Sequence, residues 1–163
     1  MKKILNEMKM RLPAVSVNEG VARSCIAAFI AELNPTVEEI CDLRCAVSEA
    51  VTNSIVHAYV DAAEGDPCYV YISVRLYEGR EITVEVSDNG RGIDDLDRAM
   101  TPMFTTGERG ERCGMGFLVM KSFTDKLTVK SRVGKGTTVL MRKILAPNAS
   151  EEKNGADREK GEL

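Results

Sequence analysis

Glu49, Asn53 and His57 recur at a spacing of four in the stretch Val47-Ser48-Glu49-Ala50-Val51-Thr52-Asn53-Ser54-Ile55-Val56-His57. That spacing stacks side chains along one face of an α-helix. The apolar Val47, Val51 and Ala58 fall on roughly the opposite side, so the helix can bury one stripe and keep the other for chemistry. A carboxylate one turn from an amide can hold a reacting group beside a hydrated metal ion. Two further clusters carry chemical content. In Asp88-Asn89-Gly90-Arg91-Gly92 the glycines let backbone approach a ligand, and the aspartate offers an acceptor to an exocyclic amino group. Gly114-Met115-Gly116 places bare N–H groups at a helix start, where phosphate binds favourably, and Arg112 beside them can neutralise a terminal phosphate. Taken singly, these clusters read as a solvated face, a turn and a common loop. Taken together, an adenine-sized pocket and a phosphate cradle imply ATP.

The elements that must position these residues are legible from periodicity. Residues 4–15 alternate through Ile4, Met8, Met10 and Leu12 and predict a strand ending at Pro13. Ser16 with Glu19, and Thr36 with Glu39, each fit a capping box. The first opens a helix through Ala22, Ile26, Phe29, Ile30 and Leu33, ended by Asn34-Pro35. The second opens a long helix, buried along Ile40, Leu43, Val47 and Val51, that carries Glu49 and Asn53 and stops near Tyr59. Val70, Ile72, Val74 and Leu76, then Ile82, Val84 and Val86, alternate on either side of Glu78-Gly79-Arg80 and predict a hairpin running into Asp88. A short helix near Leu96–Met100, a mobile loop over 105–112, a helix from Gly114 through Phe123, and two strands flanking Gly134-Lys135-Gly136 complete the pattern. The predicted fold is α+β, a two-layer α/β sandwich with helices on one face of a mixed, largely antiparallel sheet.

Bulk composition narrows the function. A chain of 163 residues suits one domain, here 1–145, followed by a charged tail, 146–163, with no apolar stripe to bury and expected to be disordered. A formal net charge of -3 argues against nucleic acid as the main partner. No apolar run approaches a membrane span, and Met1-Lys2-Lys3-Ile4-Leu5 lacks the apolar core of a signal peptide, so a cytoplasmic protein is expected. Five cysteines without framework spacing, and a single histidine, supply no zinc ligand set; reduced, mostly buried thiols are expected, and Cys113 beside Arg112 invites one alkylation test of redox activity.

The order Glu49-x-x-x-Asn53, Asp88-x-Gly90-x-Gly92 and Gly114-x-Gly116 resembles the N, G1 and G2 boxes of the GHKL ATP-binding superfamily. Ser48-Glu49-Ala50-Val51-Thr52-Asn53, Phe104-Thr105-Thr106, Glu111-Arg112-Cys113-Gly114-Met115-Gly116-Phe117 and Lys135-Gly136-Thr137-Thr138 are similar to the anti-sigma serine kinases within it, over about residues 5–143. The resemblance implies a sandwich of the histidine-kinase-like ATPase type. It also implies that Asn53 ligates Mg²⁺, bridging the ATP phosphates, and that Glu49 is the general base toward a serine hydroxyl. Asp88 would bind the adenine amino group with Thr137 nearby, and Gly90 and Gly92 would shape the base pocket. Residues 101–113, with Thr105, Thr106 and Arg112, would form a lid closing on a nucleotide cradled by Gly114, Met115 and Gly116. Arg23 would contact protein partners. Those partners would be a sporulation-type sigma factor of RNA polymerase and an anti-anti-sigma factor phosphorylated on serine, with the kinase a homodimer.

Other readings stand beside this one. A nucleotide-gated binding module with little phosphotransfer has no need of a base at position 49. A detached histidine-kinase domain would follow a dimerisation helix with a phosphoacceptor histidine, yet the sole histidine lies inside the N-box helix and reads as structural. A stress-response anti-sigma kinase differs from the sporulation type only by overall likeness.

Overall fold

The computed structural model describes residues 2–101 and 115–147. Its elements are β1 (Ile4–Pro13), α1 (Val17–Ile30), α2 (Val37–Asn53), β2 (Tyr69–Tyr77), β3 (Glu81–Asp88), α3 (Leu96–Ala99), α4 (Gly116–Phe123), β4 (Lys126–Arg132) and β5 (Gly136–Ile144). The sheet has the order β1-β2-β3-β5-β4. The expected antiparallel character is complete, since all four pairings run antiparallel.

Alternation in sequence becomes a two-sided sheet. One row of facing residues, Met8, Val74, Val84, Met141 and Leu127, crosses all five strands. That row and its neighbours Val70, Ile72, Leu76, Ile82, Val86 and Val139 form the sheet side of the core. The helix side is supplied by Ala22, Ile26 and Ile30 of α1, by Leu43, Ala46, Val47, Ala50 and Val51 of α2, and by Met120 of α4. Burying a side chain of leucine or isoleucine size stabilises the fold by about 1.5–3 kcal/mol, so the layers hold α2 firmly while its outer stripe stays accessible.

The capping box at Thr36 forms: its hydroxyl accepts from the Glu39 N–H at 3.2 Å, and the Glu39 carboxylate accepts from the Thr36 N–H at 2.8 Å. The one expected at Ser16 does not, because Ser16 makes no side-chain cap hydrogen bond and is itself helical, φ -55° and ψ -35°. Glu19 is drawn elsewhere, accepting from the Ser48 hydroxyl on α2 and pairing with Arg23 at 3.5 Å. The helix leaving Thr36 also changes character before Tyr59. It is α-helical through Asn53 and continues as a π-turn over Ser54–Ala58. Leu33, placed on the first helix, lies in a 3-10 turn, Ala31–Leu33. The last helix begins at Gly116, with Met115 as its cap. The expected loop over 105–112, most of the lid, Cys113, Gly114 and the tail from residue 148 lie outside the described residues.

Candidate functional site

The capping box fixes where α2 begins, and the buried row Leu43, Val47, Ala50 and Val51 fixes its rotation. Glu49 and Asn53 therefore emerge half-buried on the side facing α4. There Gly116 closes the approach. A Cβ added at Gly116 would lie 3.0 Å from Glu49 Oε2 and 3.2 Å from Asn53 Nδ2. The second glycine of Gly114-x-Gly116 thus lies directly against the carboxylate and amide of the N-box helix, residues more than sixty positions away in sequence. Met115, at the cap of α4, is exposed, and its carbonyl accepts from the Val119 N–H at 2.8 Å. His57 is half-buried on the π-turn. Hydrogen bonding there has widened from four to five residues, so His57 no longer continues the α-helical stripe of Glu49 and Asn53.

The other end of the site is built around Asp88, the last residue of β3, only 5% exposed. Its Oδ1 accepts from the Gly90 N–H and the Thr137 N–H, both at 3.1 Å, and its Oδ2 accepts from the Ser54 hydroxyl at 3.0 Å. Burial pushes the Asp88 carboxyl above its usual range, and the hydrogen bonds from Gly90, Ser54 and Thr137 oppose that rise. With a single donor among the described residues, Oδ2 retains a lone pair for an incoming amino group. Thr137, expected nearby, shares a 2.8 Å hydroxyl hydrogen bond with Ser131.

Glycine at 90, 92 and 136 is a packing requirement. A Cβ at Gly90 would lie 2.1 Å from the Ala58 carbonyl oxygen, and one at Gly136 would lie 2.0 Å from that of Asp88. Gly92 (φ +75°) and Gly136 (φ +89°) also adopt left-handed backbone. The Arg91 N–H donates to the Ala58 carbonyl at 2.8 Å, and the Arg91 carbonyl accepts from Gly134 at 2.7 Å. The loop after β3 is thereby clamped between the π-turn and the β4–β5 turn. Tyr59 extends the clamp, its hydroxyl donating to the Tyr69 carbonyl at 2.5 Å and accepting from the Asn89 N–H at 3.2 Å.

Sequence reasoning missed Ser54, which ties the N-box helix to Asp88. The signal existed: Ser54 falls on the stripe Val47, Val51, Ala58, and a hydroxyl on a buried stripe needs a partner. Tyr59 and Ser131 were also missed, and no spacing marked them. Of the expected site residues, Glu49, Asn53 and Gly116 come together, and so do Asp88, Gly90, Gly92 and Thr137. Thr105, Thr106, Arg112 and Gly114 lie outside the described residues. Arg23 stands apart from the glycine loops, on the side of a groove of about 280 Å³ that Arg44, Ser48, Val119 and Phe123 also line and that reaches Glu49.

Among the described residues no helix is long and apolar enough to cross a membrane, and no cluster of three or more His, Cys, Asp or Glu side chains could hold a metal ion. The oxygens available near Gly116 are those of Glu49 and Asn53, hard donors of the kind magnesium accepts.

Comparison with known proteins identifies the family and the fold. The profile of the histidine kinase-like ATPase domain matches residues 12–143. An anti-sigma F factor of Clostridium novyi (strain NT) is 49% identical over 140 residues, spanning 86% of this chain and 95% of that protein. One from Clostridium botulinum (strain Eklund 17B / Type B) is 47% identical over 138 residues, 85% and 94% of the two chains. A crystal structure of RsbU and RsbW domains from Mycobacterium tuberculosis shares the fold, with a TM-score of 0.64 at 17% identity over 88% of this chain and 34% of that one. By sequence and by architecture, the chain belongs to the histidine kinase-like ATPase domain family and, within it, to the family of the anti-sigma F factors.

Proposed function

We propose that this chain is an anti-sigma factor and an ATP-dependent protein serine kinase. It binds and inhibits a sporulation-type sigma factor of RNA polymerase and phosphorylates that factor's anti-anti-sigma antagonist on serine. The observation that carries the proposal is the approach of Gly116 to Glu49 and Asn53, where an added Cβ would lie 3.0 Å from Glu49 Oε2 and 3.2 Å from Asn53 Nδ2 and oblige those side chains to give way. Position 116 is bare where a phosphate chain needs room, beside a carboxylate and an amide on a rigid helix.

ATP fits the residues present. Asp88 keeps an open acceptor in a buried setting, and the bare backbone at Gly116 leaves space next to two oxygen-bearing side chains. Bound Mg-ATP supplies the phosphoryl group, with the magnesium offsetting its charge. Asp88 receives the exocyclic amino group and selects adenine. Asn53 offers its carbonyl oxygen to the magnesium. Glu49 accepts the proton of the incoming serine hydroxyl at its carboxylate and orients that oxygen for in-line attack. Thr105, Thr106, Arg112 and Gly114 belong to the same proposal as residues closing over the phosphates. Arg23, 43% exposed and held by Glu19, presents a guanidinium to the protein partners beside the groove that Glu49 also lines. The named relatives support the sigma-factor part of the reading. A homodimer acting in the cytoplasm completes it.

The test is recovery of the full chain from its own cells with Mg-ATP and again with Mg-ADP, followed by phosphorylation of the antagonist with labelled ATP. A sigma factor retained with ATP, and label on a serine of the antagonist, are expected. Nucleotide-dependent capture without label on the antagonist would leave a gated binding module and remove the kinase.

A further inference from the structure

Along β5 every second residue faces the helix layer, and Val139, Met141 and Leu145 are buried there. Lys143 takes the remaining position on that face, opposite Ile82 of the core. Its side chain is 13% exposed, whereas the lysines of three other ion pairs, Lys2, Lys3 and Lys9, keep 48%, 75% and 66%. The Lys143 Nζ donates to Asp42 Oδ2 of α2 at 2.9 Å and to the carbonyl of Phe123, the last residue of α4, at 3.0 Å. One largely buried ammonium therefore joins β5, α2 and α4. Stability alone does not call for it. A lysine drawn out of water loses hydration that its partner offsets only in part, and an apolar pair of similar size is often as stable or more so.

Two equal spacings define what the lysine sets. Asp42 and Glu49 are seven residues apart on α2, and Gly116 and Phe123 are seven apart on α4. Seven residues make almost two whole turns, about 10.5 Å of helix, so each pair shares one face. Gly116 lies against Glu49, and Phe123 is tied to Asp42 through Lys143. The helix α4 thus runs antiparallel along the outer stripe of α2 and is held at both ends. Met120 and Phe117 press α4 onto the core, but apolar contact is non-directional and leaves a helix free to slide. The bonds of the ammonium are directional. Asp125, just past α4, accepts from the Ile144 N–H at 2.6 Å and anchors that end to β5; Lys143 carries the anchorage on to α2. Clearance at the other end is small. A slide of one residue is about 1.5 Å, and a Cβ at Gly116 would already lie 3.0 Å from Glu49 Oε2.

We infer that Lys143 is a positioning residue: with Asp42 it fixes how far α4 reaches along α2, and so holds Gly116 at the distance from Glu49 and Asn53 that the phosphates need. The inference rests on ATP occupying the site and Glu49 acting as its base, and it adds a residue outside the three motifs. Lys143 touches neither ATP nor the reacting atoms. It acts through α4, whose carbonyl end also favours a cation. Without this latch α4 shifts along α2, and the phosphates lose their alignment with Glu49. The adenine end, built on Asp88, Gly90 and Thr137, stays as it is.

The experiment uses the full chain carrying Lys143→Met, and the full chain carrying Asp42→Leu together with Lys143→Met. The Kd for adenosine and for Mg-ATP, the single-turnover rate of transfer to the antagonist at saturating ATP, and Tm are measured. Lys143→Met leaves Asp42 unpaired and should lower Tm; the double variant puts an apolar pair in place of the charged one and should regain it. In both, adenosine should bind within about twofold of the parent and Mg-ATP about tenfold more weakly, and transfer should fall about tenfold or more. The double variant carries the result should Lys143→Met alone not fold. Transfer and ATP affinity that return with Tm, equal weakening of adenosine and ATP, or no change in either variant would each overturn the inference. If the parent binds ATP but transfers no phosphate, the kinase reading fails on its own, and the comparison of adenosine with ATP still decides the role of Lys143.

Discussion

Replacing Asp88 with asparagine separates what this buried carboxylate does for the ligand from what it does for the fold. Asparagine can keep its carbonyl toward the N–H groups of Gly90 and Thr137, both 3.1 Å from Oδ1. Its amide then takes the place of Oδ2, and the Ser54 hydroxyl, 3.0 Å away, turns from donor to acceptor. No protein hydrogen bond need be lost. The adenine amino group, however, now faces a donor where it met a charged acceptor. Losing a hydrogen bond to a charged group costs about 1.5–3 kcal/mol, or roughly 10- to 150-fold in Kd. Stability should move the other way. Burial raises the Asp88 carboxyl above its ordinary value, so the folded state holds its proton more tightly than the unfolded chain does. The charged form therefore costs stability at neutral pH, and that cost fades as pH falls through the window between the raised and ordinary values. Asp88→Asn should show an equal or higher Tm than the parent at neutral pH, with any advantage shrinking under acid. Calorimetric titration with ATP and thermal unfolding across pH measure both effects. An unchanged Kd would refute the pocket assignment, and a Tm falling only at neutral pH would refute the electrostatic argument.

The remaining expectations concern the other motifs. Glu49→Gln should hold ATP affinity within about a few-fold while transfer to the antagonist falls by about 10²–10⁴, the usual contribution of a general base; retained phosphorylation would remove Glu49 from that role. Gly116→Ala places a methyl 3.0 Å from Glu49 Oε2, so both side chains must shift by a few tenths of an ångström. Transfer should drop about tenfold or more with thermal stability little changed, as single-turnover assays and melting curves would show. Gly136→Ala adds a methyl 2.0 Å from the Asp88 carbonyl at a φ of +89°; a cost of at least about 2 kcal/mol should lower Tm by about 4–8 °C. Arg23→Ala should weaken capture of protein partners and leave ATP affinity alone, which pull-downs paired with nucleotide titration would check.

Strands whose inner faces are apolar announced themselves. Val70, Ile72, Val74 and Leu76 alternate because each points into one core, and the register places Ile72, Val74 and Leu76 opposite Val86, Val84 and Ile82 as the hairpin requires, with Val70 opposite Asp88. The capping box at Thr36 was legible because its bonds are local. The one at Ser16 misled because a long-range competitor won, Glu19 turning to Ser48 and Arg23. The π-turn left no mark, since Ser54–Ala58 has the composition of ordinary helix. Glu49 and Asn53 could be singled out by spacing. Their convergence with Gly116 arises from the packing of α4 on α2, which local pattern does not encode.

The π-turn also bears on which changes in chain length the fold can absorb. Glu49 and Ser54 are five residues apart on one helix, one aimed at α4 and the other bonded to Asp88. Each helical residue turns the chain by about 100°, so an insertion or deletion between them would leave α2 intact and swing one of the two groups out of place. A π-turn is the form a helix takes when one extra residue is accommodated within it. Here the widening comes after Asn53 and ends at Ala58, whose carbonyl holds Arg91. Length variation therefore belongs after Tyr59, in the exposed turn through Gly65. Between Glu49 and Ala58 the chain works as a ruler, and a homologue one residue longer or shorter there would have to rebuild both ends of the site.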